Sequence, residues 1–290
     1  MSIVLTGANG QVGSEIQKFA SKYGVPVVAY SRSECNIANY SDTKKLIETT
    51  SPELIINTAA YTAVDAAEEN TEEAFEINQT GCENLARIGL QYDIPLIHIS
   101  TDYVFNGIVD APYKETDTPS PESVYGKSKL AGENAIAKNC RKYIILRTSW
   151  VFGEYGNNFV KTILRLAKDK KEISVVNDQT GCPTSTQSLA EAVLEIVSAI
   201  RQGKNNWGIY HFCGKPETTW YGFACTILEQ AAALGQLVPI VVPIKSNQYL
   251  HKAKRPKYSV LDCKKIRTIF SIEQPDWKKD LKELIKILCF

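Results

Sequence analysis

A short apolar run passes straight into evenly spaced glycines at the start of this chain. Ser2-Ile3-Val4-Leu5-Thr6 is followed by Gly7-Ala8-Asn9-Gly10-Gln11-Val12-Gly13. The run reads as a buried strand, and the stretch from Gln11 to Tyr23 has helical spacing. The same alternation continues. Val25–Tyr30, Leu54–Asn57, Leu96–Ser100 and Tyr143–Arg147 read as strands. Helical patterns lie at Asp42–Thr50, within Glu68–Tyr92 and from Ser128 towards Ala137. Strands this apolar need cover on both faces, and strand–helix alternation builds a parallel sheet.

The expected fold class is therefore α/β: a Rossmann-type doubly wound parallel sheet with a smaller C-terminal substrate-binding lobe. Residues 1–150 are assigned to the nucleotide-binding domain, with return elements from about 170–205, and 151–290 mainly to the lobe. The second half is less regular. Asn158–Lys168, Ser188–Ile200 and Trp220–Ala233 read as helices, and Ile173–Val176 and Val238–Ile244 as strands. Ile209–Phe212 falls in this mixed region. Trp277, Leu281, Leu284, Ile285 and Leu288 form an apolar stripe, so the lysines between them are the wet side of a final helix.

Net charge is +1, with no basic block or stripe, so no nucleic-acid partner is expected. No apolar run reaches membrane-spanning length, and no secretory leader is read at the N-terminus. The eight cysteines form no C-x-x-C pair and no zinc spacing with histidine. Free thiols in a cytoplasmic protein are the expectation.

The glycines at 7, 10 and 13 let the backbone turn tightly and approach a pyrophosphate, whose charge the helix N-terminus meets. Candidate cofactor contacts at this turn are Gly7, Asn9, Gly10, Gln11, Val12 and Gly13. The end of the second strand selects the nicotinamide cofactor. It reads Tyr30-Ser31-Arg32-Ser33-Glu34. Ser31 and Arg32 suit a 2′-phosphate, so NADPH is expected, with NADH as the alternative. Ala59, Ala60 and Tyr61 follow the third strand, where a cofactor lies across the strand ends.

Tyr125 and Lys129 stand at i and i+4 in Tyr125-Gly126-Lys127-Ser128-Lys129, one turn apart on one helix face. An ammonium beside a phenol favours phenolate and lowers its pKa. Such a phenol is a candidate acid for a carbonyl oxygen receiving a proton as hydride arrives at carbon. Thr101 ends the fourth strand, where its hydroxyl can reach the same carbonyl. Asn78 is a candidate anchor for a water or a backbone group.

These motifs together resemble the extended short-chain dehydrogenase/reductases, and among them the dTDP-4-dehydrorhamnose reductases. The resemblance runs over almost the whole chain. Beyond the glycine turn and Tyr125–Lys129 it rests on four segments: Asn57–Asp65, Ser100–Phe105, Arg147-Thr148-Ser149-Trp150-Val151-Phe152-Gly153 and Asp178-Gln179-Thr180-Gly181-Cys182-Pro183-Thr184. It implies reduction of the keto group of a dTDP-linked 4-keto-6-deoxyhexose, with Thr101, Tyr125 and Lys129 as the catalytic set. It places Thr62, Val64, Asp102, Tyr103 and Trp150 at the sugar nucleotide. An indole face suits a sugar ring. Arg255 is a candidate for the diphosphate, which a guanidinium fork matches.

The same resemblance implies a homodimer joined through magnesium held by glutamates. Glu15 matches one such position, but Gln187 stands where a second acid is expected. A hard divalent ion wants charged oxygens. Magnesium is therefore not expected, and a dimer through other contacts stays open. Two kinds of rival remain. The first is another nucleotide-sugar enzyme on the same fold. A dehydratase needs an acidic pair after the threonine, and Asp102 is followed by Tyr103. Another ketoreductase or an epimerase stays open, with the Asp178–Thr184 segment arguing against the epimerase. The regulatory beta subunit of methionine adenosyltransferase is a similar non-enzymatic relative, against which the complete Thr101, Tyr125, Lys129 set argues.

Overall fold

The computed structural model describes residues 2–289. Six parallel strands form the main sheet: β1 Ile3–Thr6, β2 Val27–Tyr30, β3 Leu54–Asn57, β4 Leu96–Thr101, β5 Tyr143–Thr148 and β6 Gly208–His211. Their order across the sheet is β6-β5-β4-β3-β1-β2. The chain reverses its direction of travel between β1 and β3. Ligands of open α/β sheets bind outside the carboxyl ends of the strands at such a switch point.

Side chains alternate across each strand, so each strand feeds two cores. Ile3 and Leu5 point to one face, where helices Gln11–Lys22 and Thr186–Arg201 pack. Val4 points to the other, covered by helices Tyr40–Thr50, Gly81–Gln91 and Val124–Asn139. The expected doubly wound sheet is present. Its sixth strand is a correction: Ile209–His211 pairs in parallel with Ile145–Arg147 and belongs to the main sheet, not to the irregular second half. A short strand with one partner and no alternating pattern carries no periodic signal of its own.

The remaining segments form a lobe with its own core. Val160 and Ile163 from helix Phe159–Asp169 meet Phe223 and Ile227 from helix Trp220–Ala232. Trp277, Leu281 and Ile285 of the last helix, Trp277–Cys289, complete this core as the apolar stripe predicts. Strand Ile240–Ile244 pairs in parallel with Glu172–Val176. Among the described residues, no helix is long and apolar enough to cross a membrane.

Candidate active site

Four sheet strands end at Thr6, Asn57, Thr101 and Thr148. Beyond β3, β4 and β5, between sheet and lobe, lies a cleft of about 650 Å³. A smaller cavity of about 200 Å³ adjoins it near the end of β2, sharing Asn9, Gly10, Thr58 and Ala60 with it. The two form one groove across the switch point.

The glycine turn forms the floor where the cavities meet. Gly7 sits at φ +80°, and a Cβ there would lie 2.5 Å from the Ala59 nitrogen. A Cβ on Gly13 would lie 2.2 Å from the Gly7 carbonyl oxygen. The turn therefore needs glycine at both places. Gly10 caps the helix without a side chain over its first N–H groups. An uncapped helix start beside a bare backbone suits a pyrophosphate. Gly7, Asn9, Gly10, Gln11, Val12, Arg32, Ala59 and Ala60 all line the groove. Gly13, Ser31 and Tyr61 do not line it.

The end of β2 differs from expectation in one respect. Glu34 folds back on Ser31, accepting from its backbone nitrogen at 2.8 Å and its hydroxyl at 2.6 Å. These bonds hold the Glu34 carboxyl below its ordinary value. A carboxylate thus does stand at the strand end, inside the loop. Arg32 is largely exposed and paired with Glu73 at 3.0 Å.

The catalytic candidates meet on the wall beyond β4. Helix Val124–Asn139 starts one turn earlier than its pattern suggests, because Ser123 caps it by accepting from the Gly126 nitrogen at 3.1 Å. This puts Tyr125 in the first turn and Lys129 in the second. Deeper in the helix, Glu133 accepts from Arg147 of β5 at 2.6 Å and from Ser100 of β4 at 2.5 Å. That buried clamp fixes the helix on the two strands that carry the site. Thr101, Tyr125 and Lys129 all line the cleft.

The electrostatics correct the expected tuning of the phenol. Burial pushes Tyr125 up to about 12, the Thr101 hydroxyl opposes that rise, and the Asp102 charge adds to it. Lys129 is not among the causes. Its nitrogen is turned inward, 3.0 Å from His98 Nε2 and donating to the Ile99 carbonyl at 2.7 Å. Helical spacing placed the two side chains on one face but did not set where the flexible ammonium points. Asn78 anchors a backbone: it bonds both the Tyr61 nitrogen and the Tyr61 carbonyl, and donates to Ser128.

Thr62, Val64, Asp102, Tyr103, Trp150 and Arg255 all line the cleft. Burial raises the Asp102 carboxyl to about 7 against the pull of the Ser259 and Thr101 hydroxyls. Arg255 is engaged by Asp65 at 2.7 Å. The Trp150 face expected to be free for a sugar ring is stacked on Trp220, centroids 3.5 Å apart. Trp220, Phe159, Thr148 and Ser149 also line the cleft and were missed. Only the Trp220–Ala233 helix pattern carried a hint of the first. Among the described residues, Asp102 Oδ2, Thr148 Oγ1 and Arg255 Nε are buried without a hydrogen-bond partner. An unpaired buried polar group costs about 1–3 kcal/mol, and three at one cleft mark where a polar ligand fits.

Glu15 is buried, accepting from Thr186 at 2.9 Å, with Lys18 at 3.4 Å. Among the described residues, no group of three or more His, Cys, Asp or Glu side chains is placed to hold a metal ion.

Known proteins match this chain along its whole length. The chain is 43% identical over 286 residues to a dTDP-4-dehydrorhamnose reductase of Aggregatibacter actinomycetemcomitans, covering 97% of each. The crystal structure of a dTDP-4-dehydrorhamnose reductase from Clostridium acetobutylicum matches with a TM-score of 0.92 at 40% identity, over 100% of both chains. That of Bacillus anthracis, solved in complex with NADP, matches with 0.92 at 34% identity over 99% of both. The family model described as the RmlD substrate binding domain matches residues 1–289, and the chain belongs to that family.

Proposed function

We propose that this protein reduces the 4-keto group of dTDP-6-deoxy-L-lyxo-4-hexulose to give dTDP-L-rhamnose, with NADPH as reductant. The observation that carries the reading is the meeting of Thr101, Tyr125 and Lys129 in one cleft with the glycine turn. Family membership narrows the substrate to a dTDP-linked ketosugar.

The residues present fit the cofactor. The uncapped N-terminus after Gly10 and the bare backbone at Gly7 and Gly13 would hold the pyrophosphate. Arg32 would meet the 2′-phosphate, as a guanidinium suits phosphate oxygens. Lys129 would hold the ribose hydroxyls. A nicotinamide held there would supply the hydride that the carbonyl carbon needs.

The chain's own groups do the rest. Tyr125 keeps its proton at neutral pH and gives it to the carbonyl oxygen. The Thr101 hydroxyl orients that oxygen. Asp102, Tyr103, Thr62 and Val64 line the sugar end, with Arg255 toward the diphosphate. A cytoplasmic location suits the eight free cysteines, and a homodimer is compatible with this reading.

The test is NADPH consumption by the purified protein across dTDP-, UDP- and GDP-linked ketosugars. Turnover is expected with the dTDP-linked 4-keto-6-deoxyhexose and a rhamnosyl product. No NADPH consumption with that sugar, under conditions where cofactor binds, sinks the proposal.

A further inference from the structure

The segment from Ser246 to Ser259 leaves the lobe and returns to it at almost the same point. At its start the Ser246 nitrogen donates to Asp178 Oδ1 at 2.9 Å. At its end the Thr180 nitrogen donates to the Lys257 carbonyl at 2.7 Å, and the Ser259 nitrogen donates to the Thr180 carbonyl at 2.9 Å. Both feet of the loop therefore stand on the Asp178–Thr184 segment. A compact loop with neighbouring ends is of the Ω type. Its feet alone do not fix where its tip lies.

The tip reaches the short helix Val64–Ala67 that follows β3. Asp65 receives it with both carboxylate oxygens. The Lys252 and Ala253 nitrogens donate to Oδ1 at 3.1 and 3.0 Å, and Arg255 Nη2 donates to Oδ2 at 2.7 Å. Burial raises the Asp65 carboxyl, but the two amides and the guanidinium outweigh it and hold it below its ordinary value. Asp65 is thus a carboxylate at neutral pH. The tip has two further ties, Lys252 to Glu69 and Lys254 to Glu122, which are exposed ion pairs. Such pairs contribute little.

Arg255 carries the loop's chemistry into the cleft. A guanidinium is a rigid plane of five N–H donors. Pairing one of them with Asp65 sets the plane and leaves the others. Among the described residues, Arg255 Nε has no hydrogen-bond partner, although it is buried.

We propose that Asp65 is a positioning residue for the nucleoside diphosphate: it fixes the loop tip beside β3 so that Arg255 presents its free Nε–H to a phosphate oxygen. The ligand class rests on the function proposed above; the tether of the loop does not. Asp65 itself touches no phosphate. It acts through Arg255, and its removal is felt at the sugar-nucleotide end of the cleft.

The test pairs hydrogen exchange with calorimetric titration by dTDP, both on the full-length protein. Asp65→Ala is expected to speed amide exchange across residues 246–259 and to weaken dTDP about tenfold, the scale of a lost hydrogen bond to a charged group. Asp65→Asn keeps an acceptor for the two amides and should retain most of the affinity. Adding Asp65→Ala to Arg255→Ala should cost nothing further, because the effect runs through the arginine. A purely structural role would make the two losses add, which overturns the proposal. Unchanged exchange or unchanged dTDP affinity in Asp65→Ala overturns it as well. Tighter binding in either Asp65 variant would mean that the carboxylate competes with phosphate for the guanidinium, and also overturns it. A parent protein that binds no dTDP removes the functional reading and this proposal together. A parent that binds dTDP as tightly as its Asp65→Ala variant removes this proposal alone.

Discussion

Trp150 and Trp220 stack face to face across the cleft, 7° from parallel with centroids 3.5 Å apart. One follows β5 and the other opens a helix of the lobe, so the pair joins the two halves of the molecule at the site. Trp150 adopts φ +47°, a left-handed backbone that a bulky residue takes only when its surroundings hold it there. Gly181 makes room for the indole, since a Cβ there would lie 2.6 Å from it.

Removing the stack should loosen the sugar-nucleotide end alone. An aromatic pair is worth about 0.5–1.5 kcal/mol beyond its buried area. Trp220→Ala is expected to raise KM for the nucleotide sugar by about tenfold, with KM for NADPH little changed. Steady-state kinetics with each substrate varied separates the two. An equal rise in both would place the stack outside the sugar site.

Tyr125→Phe removes the proposed proton donor and leaves the groove in shape. The expected loss in kcat is ~10²–10⁴, the usual contribution of a positioned acid. NADPH affinity, read by fluorescence titration, should be preserved. Lys129→Ala should weaken both, since this side chain lines the cleft beside Tyr125 and is assigned to the cofactor ribose in the proposed function. Near-normal turnover by Tyr125→Phe would falsify the assignment of the acid.

Arg32 and Glu73 form an exposed pair, and such pairs contribute little to stability. The guanidinium is thus available to a 2′-phosphate at small cost. Arg32→Ala is expected to raise KM for NADPH and to leave NADH nearly untouched. Glu73→Gln should act the other way on NADPH. Equal effects on the two cofactors would show that Arg32 does not read the phosphate.

Asp102 gives a pH signature with a definite sign. An unfolded aspartate titrates near pH ~3.9, whereas burial puts this one at about 7 in the folded chain. Between those values the folded state binds the extra proton, so stability falls as pH rises through that window. Above about 7 the full cost of burying the charge is present. Asp102→Asn should flatten the fall in Tm across this range and raise Tm at neutral pH. An unchanged slope in thermal melts would mean that Asp102 is solvated.

Chelation addresses the metal. Glu15 is tied to Thr186 and Lys18 within its own chain, and Gln187 supplies a neutral amide instead of a carboxylate. EDTA is expected to change neither activity nor sedimentation. A dimer lost on chelation and regained with magnesium would show that other ligands complete a site.

The alternating pattern of the first half determined the doubly wound sheet, because largely apolar strands there alternate with helices long enough to cross back over the sheet. The glycine spacing located the nucleotide turn, since only glycine fits at positions 7 and 13. Tyr125 and Lys129 were legible for the same local reason: helical geometry puts i and i+4 on one face.

What the local pattern could not carry was decided by contacts far apart in sequence. β6 joins the sheet only because β5 offers it an edge. Trp220 reaches the site because the lobe folds back over β5 and sets it on Trp150. The lysine's direction came from His98 and the Ile99 carbonyl, 31 and 30 residues away in the chain. A flexible side chain has no direction in sequence. It acquires one only when burial leaves a few partners and makes each unmatched polar group costly.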